Sequence, residues 1–305
     1  LKPIFKYSGG KTRELKRINK IISGIEFDRV VEPFAGGAAF AFAQEKPALI
    51  SDIRSNNIDV YKAVQDVTEF KTLLNKVEET KKVTDRKELE KIFYHWRDEK
   101  YQNCDTLWEK AFRWIIIRQL CFSGMDRVNK KAGKFNVPYG WYPKFSTRLN
   151  EEHHNLLKNW EIKECSFEES ILEATEHDFI FLDPPYLERN SDYGSDTHSF
   201  KLHEDLLELL KDTKSNWLLI HHNHSFYEDN YKNFNILSDD FAYASQWKGR
   251  KQTDRKVKHL YITNFGINKN ENKIYTISER CRKLYRKFIN IFDLDSSKIP
   301  LPSPM

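Results

Sequence analysis

The chain has 305 residues, of which 39% are hydrophobic, 31% charged and 14% aromatic. With 21 Phe, 14 Tyr and 7 Trp it is too rich in large apolar side chains to be disordered, and its length allows two domains or one catalytic domain with a large insertion. The net charge of +5 is mild and bears on partners only where the positive residues cluster.

No stretch approaches the roughly 20 apolar residues of a membrane helix. Residues 1–6, Leu-Lys-Pro-Ile-Phe-Lys, lack the apolar core and cleavage site of a signal peptide. A cytoplasmic protein with no membrane partner is expected. Cys104, Cys121, Cys165 and Cys281 are widely spaced with no C-x-x-C, so neither a zinc site nor a disulfide framework is signalled, and no metal is expected.

From the amino end, the first motif is Lys6-Tyr7-Ser8-Gly9-Gly10-Lys11-Thr12. It ends like a phosphate-binding P-loop, but Phe5 stands where the leading glycine is required, which excludes ATP or GTP binding. A Gly-Gly turn with Lys6 and Lys11 around Tyr7 is suited to clamp a carboxylate and an adenine ring; an ordinary loop with exposed lysines is the alternative. Residues 29–34 predict a short strand and residues 35–43 a tight glycine turn opening an Ala-rich helix. Residues 48–51 predict a second strand ending on Asp52, and residues 53–64 a helix with Ile53, Ile58, Tyr61 and Val64 at helical spacing.

Strand, glycine turn and helix together open a nucleotide-binding unit. Gly36 and Gly37 let the backbone approach a ligand, and Asp52 lies where a ribose hydroxyl is bound. There is no G-x-G-x-x-G, so a nucleoside without a diphosphate fits better than NAD. S-adenosylmethionine is such a ligand.

Beyond about residue 66 the pattern changes to long charged helices, clearest over 87–101 and 106–122, followed by a glycine- and lysine-containing hairpin over 123–140. Strands resume at 161–165, 179–182, 217–221 and 259–263, with a helix over 202–210. The two ends of the chain thus predict one parallel-type α/β sheet with helices on both faces, interrupted by a mostly helical insertion.

Asp183-Pro184-Pro185-Tyr186 follows the apolar strand Phe179-Ile180-Phe181-Leu182 directly. The carboxyl end of such a strand faces the ligand crevice. Two prolines stiffen the turn and remove two amide donors. A carboxylate, carbonyl acceptors and an aromatic face suit a planar ring bearing an amino group: Tyr186 stacks on the ring while Asp183 and the Pro184 carbonyl accept the two amino hydrogens. Drawing on both hydrogens localises the nitrogen lone pair and makes the amine a usable nucleophile. A plain surface turn after a buried strand is the alternative.

Lys-Tyr-Ser-Gly-Gly-Lys, Glu32-Pro33-Phe34-Ala35-Gly36-Gly37, Asp52-Ile53, Phe135-Asn136-Val137-Pro138-Tyr139-Gly140 and Asp183-Pro184-Pro185-Tyr186, in that order, closely resemble the Dam-type (D12 class, α-order) DNA adenine N6-methyltransferases. The resemblance covers roughly residues 3–265. It implies a Rossmann-like, S-adenosylmethionine-dependent sheet assembled from residues 1–65 and 160–265, a target-recognition domain over 66–159 containing the hairpin, and a basic extension over 266–305. It implies that Tyr7, Lys11, Asp52 and Asp183 bind S-adenosylmethionine, with Glu32, Phe34 and Gly36 lining the pocket, and that Asp183, Pro184, Pro185 and Tyr186 form the flipped-adenine site. Arg127 falls where family members present a base-contacting arginine, followed by Val128 and Asn129. The lead-in Cys121-Phe122-Ser123-Gly124-Met125-Asp126 departs from the family and is expected to set Asp126 beside the DNA.

Double-stranded DNA is therefore the expected partner. Arg127, Asn129, Lys130, Lys131, Lys134, Lys144 and Arg148 crowd the hairpin and its flank, and Lys248, Arg250, Lys251, Arg255, Lys256 and Lys258 precede the last strand; both clusters suit phosphates. A separately acting restriction endonuclease is a further expected partner, and monomer and dimer stay open. Methylation of cytosine N4 or of an RNA amine, and a catalytically silent DNA-binding protein, are the rival readings. His221, His222 and His224 read as structural or substrate-proximal, and His153 and His154 as exposed on a polar helix.

Overall fold

A computed structural model describes residues 1–100, 103–129, 133–187, 200–242 and 256–267. Nine strands are present among them: β1 (Arg29–Glu32), β2 (Ala48–Ser51), β3 (Val128–Asn129), β4 (Lys134–Phe135), β5 (Trp160–Lys163), β6 (Asp178–Leu182), β7 (Asn216–His222), β8 (Asn235–Ala242) and β9 (Lys256–Thr263). Seven form one sheet in the order β5-β2-β1-β6-β7-β9-β8, and β3 pairs with β4 in a separate two-stranded ribbon. Pairings from β5 through β7 are all parallel, whereas β9 runs antiparallel to both β7 and β8.

The sheet is therefore mixed rather than purely parallel. Strand β8 escapes sequence reading because it is the edge of the sheet: Ile236 is 37% exposed and Asp239 and Asp240 face solvent, so no apolar alternation marks it. Charge on an edge strand also discourages pairing with another chain.

The helices are α1 (Leu15–Ile21), α2 (Ala39–Gln44), α3 (Ser55–Gln65), α4 (Val67–Lys81), α5 (Arg86–Tyr94), α6 (Leu107–Leu120), α7 (Glu151–Leu157), α8 (Phe167–Leu172), α9 (Phe200–Asp212) and α10 (Ser225–Asn230). They cover both faces of the sheet. On one face Val31, Leu49, Ile180, Leu182 and Leu219 pack with Phe167 of α8, Leu206 of α9 and Tyr227 of α10. On the other, Phe40 of α2 stacks on Phe181 at 4.4 Å and lies 5.6 Å from Phe179. Burial on both sides explains why β6 reads as an unbroken apolar run.

The helical insertion starts and stops on local signals. Asp66 caps α4 by accepting from the Thr68 and Glu69 amides, Asp85 caps α5 in the same way, and Thr106 with Glu109 forms a capping box on α6. The helix expected over 87–101 ends at Tyr94 and continues as a π-helical turn, His95–Glu99. Every residue of α6 from Ala111 to Leu120 is buried, so it is a central helix, packed on α3 and α4. Leu1–Phe265 makes one compact unit.

Two further sequence expectations fail. His153 and His154 are buried, not exposed: His153 Nε2 bonds the Lys2 carbonyl at 2.9 Å, and His154 Nδ1 bonds the Val64 carbonyl at 2.7 Å with its ring stacked on Phe70. Ile53, expected on the buried spacing of a helix, precedes α3 and is 57% exposed.

Candidate active site at the carboxyl ends of the strands

Strand order reverses at β1, so a crevice opens between the carboxyl ends of β1 and β6, the place where ligands bind in such sheets. Asp183, Pro184, Pro185 and Tyr186 leave β6 there, Glu32, Phe34 and Gly36 leave β1, and Asp52 leaves β2. The sequence-predicted residues from three separate segments thus share one edge of the sheet.

Lys11 meets them from the amino-terminal turn. Its Nζ donates to Asp183 Oδ2 at 2.6 Å and to the Gly9 carbonyl at 2.9 Å, and the side chain is 3% exposed. Read from the sequence as a carboxylate clamp, Lys11 here clamps the protein's own Asp183. Burial raises the Asp183 carboxyl above its ordinary range, and the Lys11 charge and hydrogen bond oppose that rise. Lys6, expected beside it, turns away: its Nζ donates to the Gln119 carbonyl at 3.1 Å and lies 4.2 Å from the Tyr142 ring centroid.

Tyr186 is bordered by histidine edges, with His221 at 4.9 Å, His222 at 4.8 Å and His259 at 6.0 Å between ring centroids. His221 Nε2 accepts the Leu187 amide at 3.2 Å while Nδ1 lies 2.8 Å from the His222 carbonyl. These two bonds are satisfied together only by a neutral ring with its proton on Nδ1. Burial, with the neighbouring histidines, drives its pKa down to about 2. His221 therefore fixes the exit of the proline corner as a permanent acceptor.

Behind Tyr186, buried Glu14 accepts from His259 Nδ1 at 2.8 Å and from the Tyr261 hydroxyl at 2.7 Å. Burial pushes the Glu14 carboxyl up, but those bonds and nearby Lys11 together hold it below its usual value. Sequence reasoning passed over Glu14, although it is a lone acid among Lys11, Arg13, Lys16 and Arg17, a signal that it has a partner elsewhere.

The glycine turn is built around Tyr7. Gly36 has φ +48°, and a Cβ there would lie 2.5 Å from Tyr7 Cε1, so both conformation and space require glycine. Its N–H donates to Asp52 Oδ2 at 2.8 Å and its carbonyl accepts the Tyr61 hydroxyl at 2.7 Å. Asp52 Oδ2 also accepts from Asn57 Nδ2 at 2.9 Å, and Oδ1 from the Arg54 amide at 2.9 Å. Burial raises the Asp52 carboxyl, opposed by those same bonds. Oδ1 keeps acceptor capacity, which suits a ribose hydroxyl, and exposed Ile53 beside it offers an apolar surface to a nucleoside. The donor and acceptor set therefore fits S-adenosylmethionine.

Two residues expected to line the pocket, Glu32 and Phe34, have attachments within the fold. Glu32 Oε2 accepts the Ala41 amide at 2.8 Å and so caps α2, whose N-cap residue Ala38 provides no side-chain bond. Complete burial, with Asp183 nearby, pushes the Glu32 carboxyl up to about 8. Phe34 stacks on Phe167 of α8 at 5.3 Å.

In the ribbon of β3 and β4 and its flanks, Arg127, Asn129 and Lys134 are exposed, as are Lys144 and Arg148. Arg127 Nε donates to Asn136 Oδ1 at 2.8 Å, and Phe135 anchors the ribbon on Trp114 of α6. Asp126, expected beside the DNA, is instead 6% exposed because two arginines draw it inward: Arg54 Nη1 lies 2.6 Å and Arg118 Nη1 3.5 Å from its Oδ2. Lys130, Lys131, Lys248, Arg250, Lys251, Arg255, the Lys256 side chain and residues 268–305 of the basic extension lie outside the described residues. Among the described residues no cluster of His, Cys, Asp and Glu suits a metal, and no helix is long and apolar enough to cross a membrane.

Sheet order, helical layers and the proline corner define a Rossmann-like α/β methyltransferase. The family description of the D12 class N6 adenine-specific DNA methyltransferases matches residues 7–279. Similar proteins include the type II methyltransferase M.CviBI of Paramecium bursaria Chlorella virus NC1A, 33% identical over 284 residues, or 87% of this chain and 100% of that one. Type II methyltransferases M1.LlaDCHI of Lactococcus lactis subsp. cremoris and M.MjaIII of Methanocaldococcus jannaschii are 32% and 30% identical, each over 87% of this chain and over 96% and 99% of their own. The chain belongs to the D12 class and is a site-specific, adenine-specific DNA methyltransferase.

Proposed function

We propose that the crevice holds S-adenosylmethionine against Tyr7, Phe34, Gly36 and Asp52 and receives an everted adenine at Asp183-Pro184-Pro185-Tyr186. The observation that carries this reading is the meeting of Asp183 with Lys11 beside the Gly36–Asp52 turn at the point where strand order reverses.

S-adenosylmethionine, when bound, supplies an electrophilic methyl group. The chain's own residues do the rest. Asp183 accepts a hydrogen bond from the adenine amine, and Lys11 favours its ionised, acceptor form against the upward push of burial. Tyr186 stacks on the extruded base, held by its histidine border. Transfer would form the nitrogen–carbon bond as the methyl carbon–sulfur bond breaks, leaving S-adenosylhomocysteine, and the amine's surplus proton would pass by way of the Asp183 carboxylate to water. Extruding the base costs a few kcal/mol, which hairpin contacts from Arg127, Asn129 and Lys134 to the duplex offset.

The helical segment over 66–159 acts as the target-recognition region in this reading. The enzyme protects DNA in a restriction–modification or phage system, with any endonuclease a separate protein; the type II relatives that span nearly their whole length support this. Methylated DNA digested to nucleosides should contain N6-methyldeoxyadenosine as the sole new species, and single-molecule sequencing should place it in one motif. N4-methyldeoxycytidine, or methylation scattered without a motif, would overturn the proposal.

A further inference from the structure

The base of the recognition hairpin is tied to both sides of the cofactor crevice. Arg54 donates from Nη1 to Asp126 Oδ2 at 2.6 Å, and its own amide donates to Asp52 Oδ1 at 2.9 Å. Arg118, fully buried in α6, donates from Nε to the Lys6 carbonyl at 3.1 Å, from Nη1 to the Met125 carbonyl at 3.2 Å and from Nη2 to the Gly124 carbonyl at 3.4 Å. Its guanidinium lies 5.5 Å from the Tyr7 ring centroid and its Nη1 3.5 Å from Asp126 Oδ2.

This cluster is poorly explained as a device for stability alone. Asp126 Oδ1 is buried without a hydrogen-bond partner. Apolar side chains of similar volume would hold the loop at least as well as charges withdrawn from water. What directional bonds add is register. Asp126 immediately precedes Arg127, whose carbonyl accepts the Asn136 amide at 3.0 Å and whose side chain bonds Asn136 across the ribbon. The position of Asp126 therefore sets where the Arg127 side chain leaves the surface.

We propose that Arg54, Asp126 and Arg118 are positioning residues that couple the two ligands. They hold the hairpin in a register set by the loops carrying Tyr7 and Asp52, so that filling the cofactor pocket tightens sequence-specific DNA binding. By linkage the reverse holds to the same factor. The inference rests on the reading that Tyr7 and Asp52 hold the cofactor and that the hairpin reads DNA.

S-adenosylhomocysteine is the probe, because it has no methyl group to transfer. Duplexes carrying the methylated motif, or a scrambled one, are titrated by fluorescence anisotropy with and without it. The wild type should bind the motif at least about fivefold tighter when S-adenosylhomocysteine is present, the lower end of ordinary coupling, and the scrambled duplex should show less. Asp126→Asn keeps the shape and removes the charge; its tightening should fall below about twofold. The ratio with and without the probe is a quantity that a uniform loss of stability does not move. If Asp126→Asn does not fold, Arg54→Lys, which keeps the charge but loses the planar fork, takes its place with the same expected loss. A wild type with no tightening, or a folded variant that retains it, overturns the coupling. The cofactor-site reading fails separately: Tyr7→Ala and Asp52→Asn would then bind S-adenosylhomocysteine as tightly as the wild type does.

Discussion

Gly36 shows how several demands converge on one residue. It must adopt φ +48°, leave room for the Tyr7 ring, and present its N–H to Asp52 and its carbonyl to Tyr61. Gly36→Ala should lower thermal stability by about 1–2 kcal/mol from backbone strain alone. Because Tyr7 must also shift, calorimetry should show S-adenosylhomocysteine bound roughly tenfold more weakly, equivalent to about 1.4 kcal/mol. Glu32 carries a different signature. Burial raises its pKa to about 8 from an ordinary 4.5, so between those values the folded protein holds a proton that the unfolded chain has released. Its stabilising contribution is complete below about pH 4.5 and is lost as pH rises through about 8. Thermal scans from pH 5 to 9 should show the wild type losing Tm relative to Glu32→Gln as pH rises, and parallel curves would show that Glu32 is ionised in the fold.

On the proposed function, the short ribbon of β3 and β4 would make two kinds of contact with DNA. Arg127 is exposed at its base and pre-aligned by Asn136, as a side chain that reads a base edge must be, whereas Lys134 is an exposed charge suited to phosphate. Arg127→Ala should relax the methylated motif at one position, with discrimination there falling by about 1–3 kcal/mol. Lys134→Ala should weaken binding to all duplexes alike and reduce the slope of log affinity against log salt by about 1. Equal effects of the two substitutions on motif and salt slope would remove this division. The hairpin was legible from its glycines and lysines, and the buried strands from their apolar runs. The edge strand β8 was not, because residues 236 and 238–240 along it are exposed, and neither were the buried histidines His153 and His154, whose partners Lys2 and Val64 lie far from them in sequence. Asp126 misled for the same reason: one residue's type gives no sign of an arginine 72 positions before it.

Across the whole molecule, motifs spread from Tyr7 to Tyr186 become one crevice because strand order brings β1, β2 and β6 side by side. The motifs at Gly36, Asp52 and Asp183 each follow a predicted strand, which indicated a shared sheet edge, whereas the Tyr7 turn precedes every predicted strand and joins them only through tertiary contact with Gly36. The Lys11–Asp183 pair, the histidine border of Tyr186 and the Arg54–Asp126–Arg118 cluster required tertiary contact to be seen. Single-turnover methyl transfer by Asp183→Asn bears on the function of the crevice as a whole. With the fold intact by circular dichroism and S-adenosylhomocysteine still bound, the transfer rate should fall about 10²–10³-fold, the scale expected for a lost electrostatic partner of the reacting group. Transfer at the wild-type rate would show that the amine is activated elsewhere.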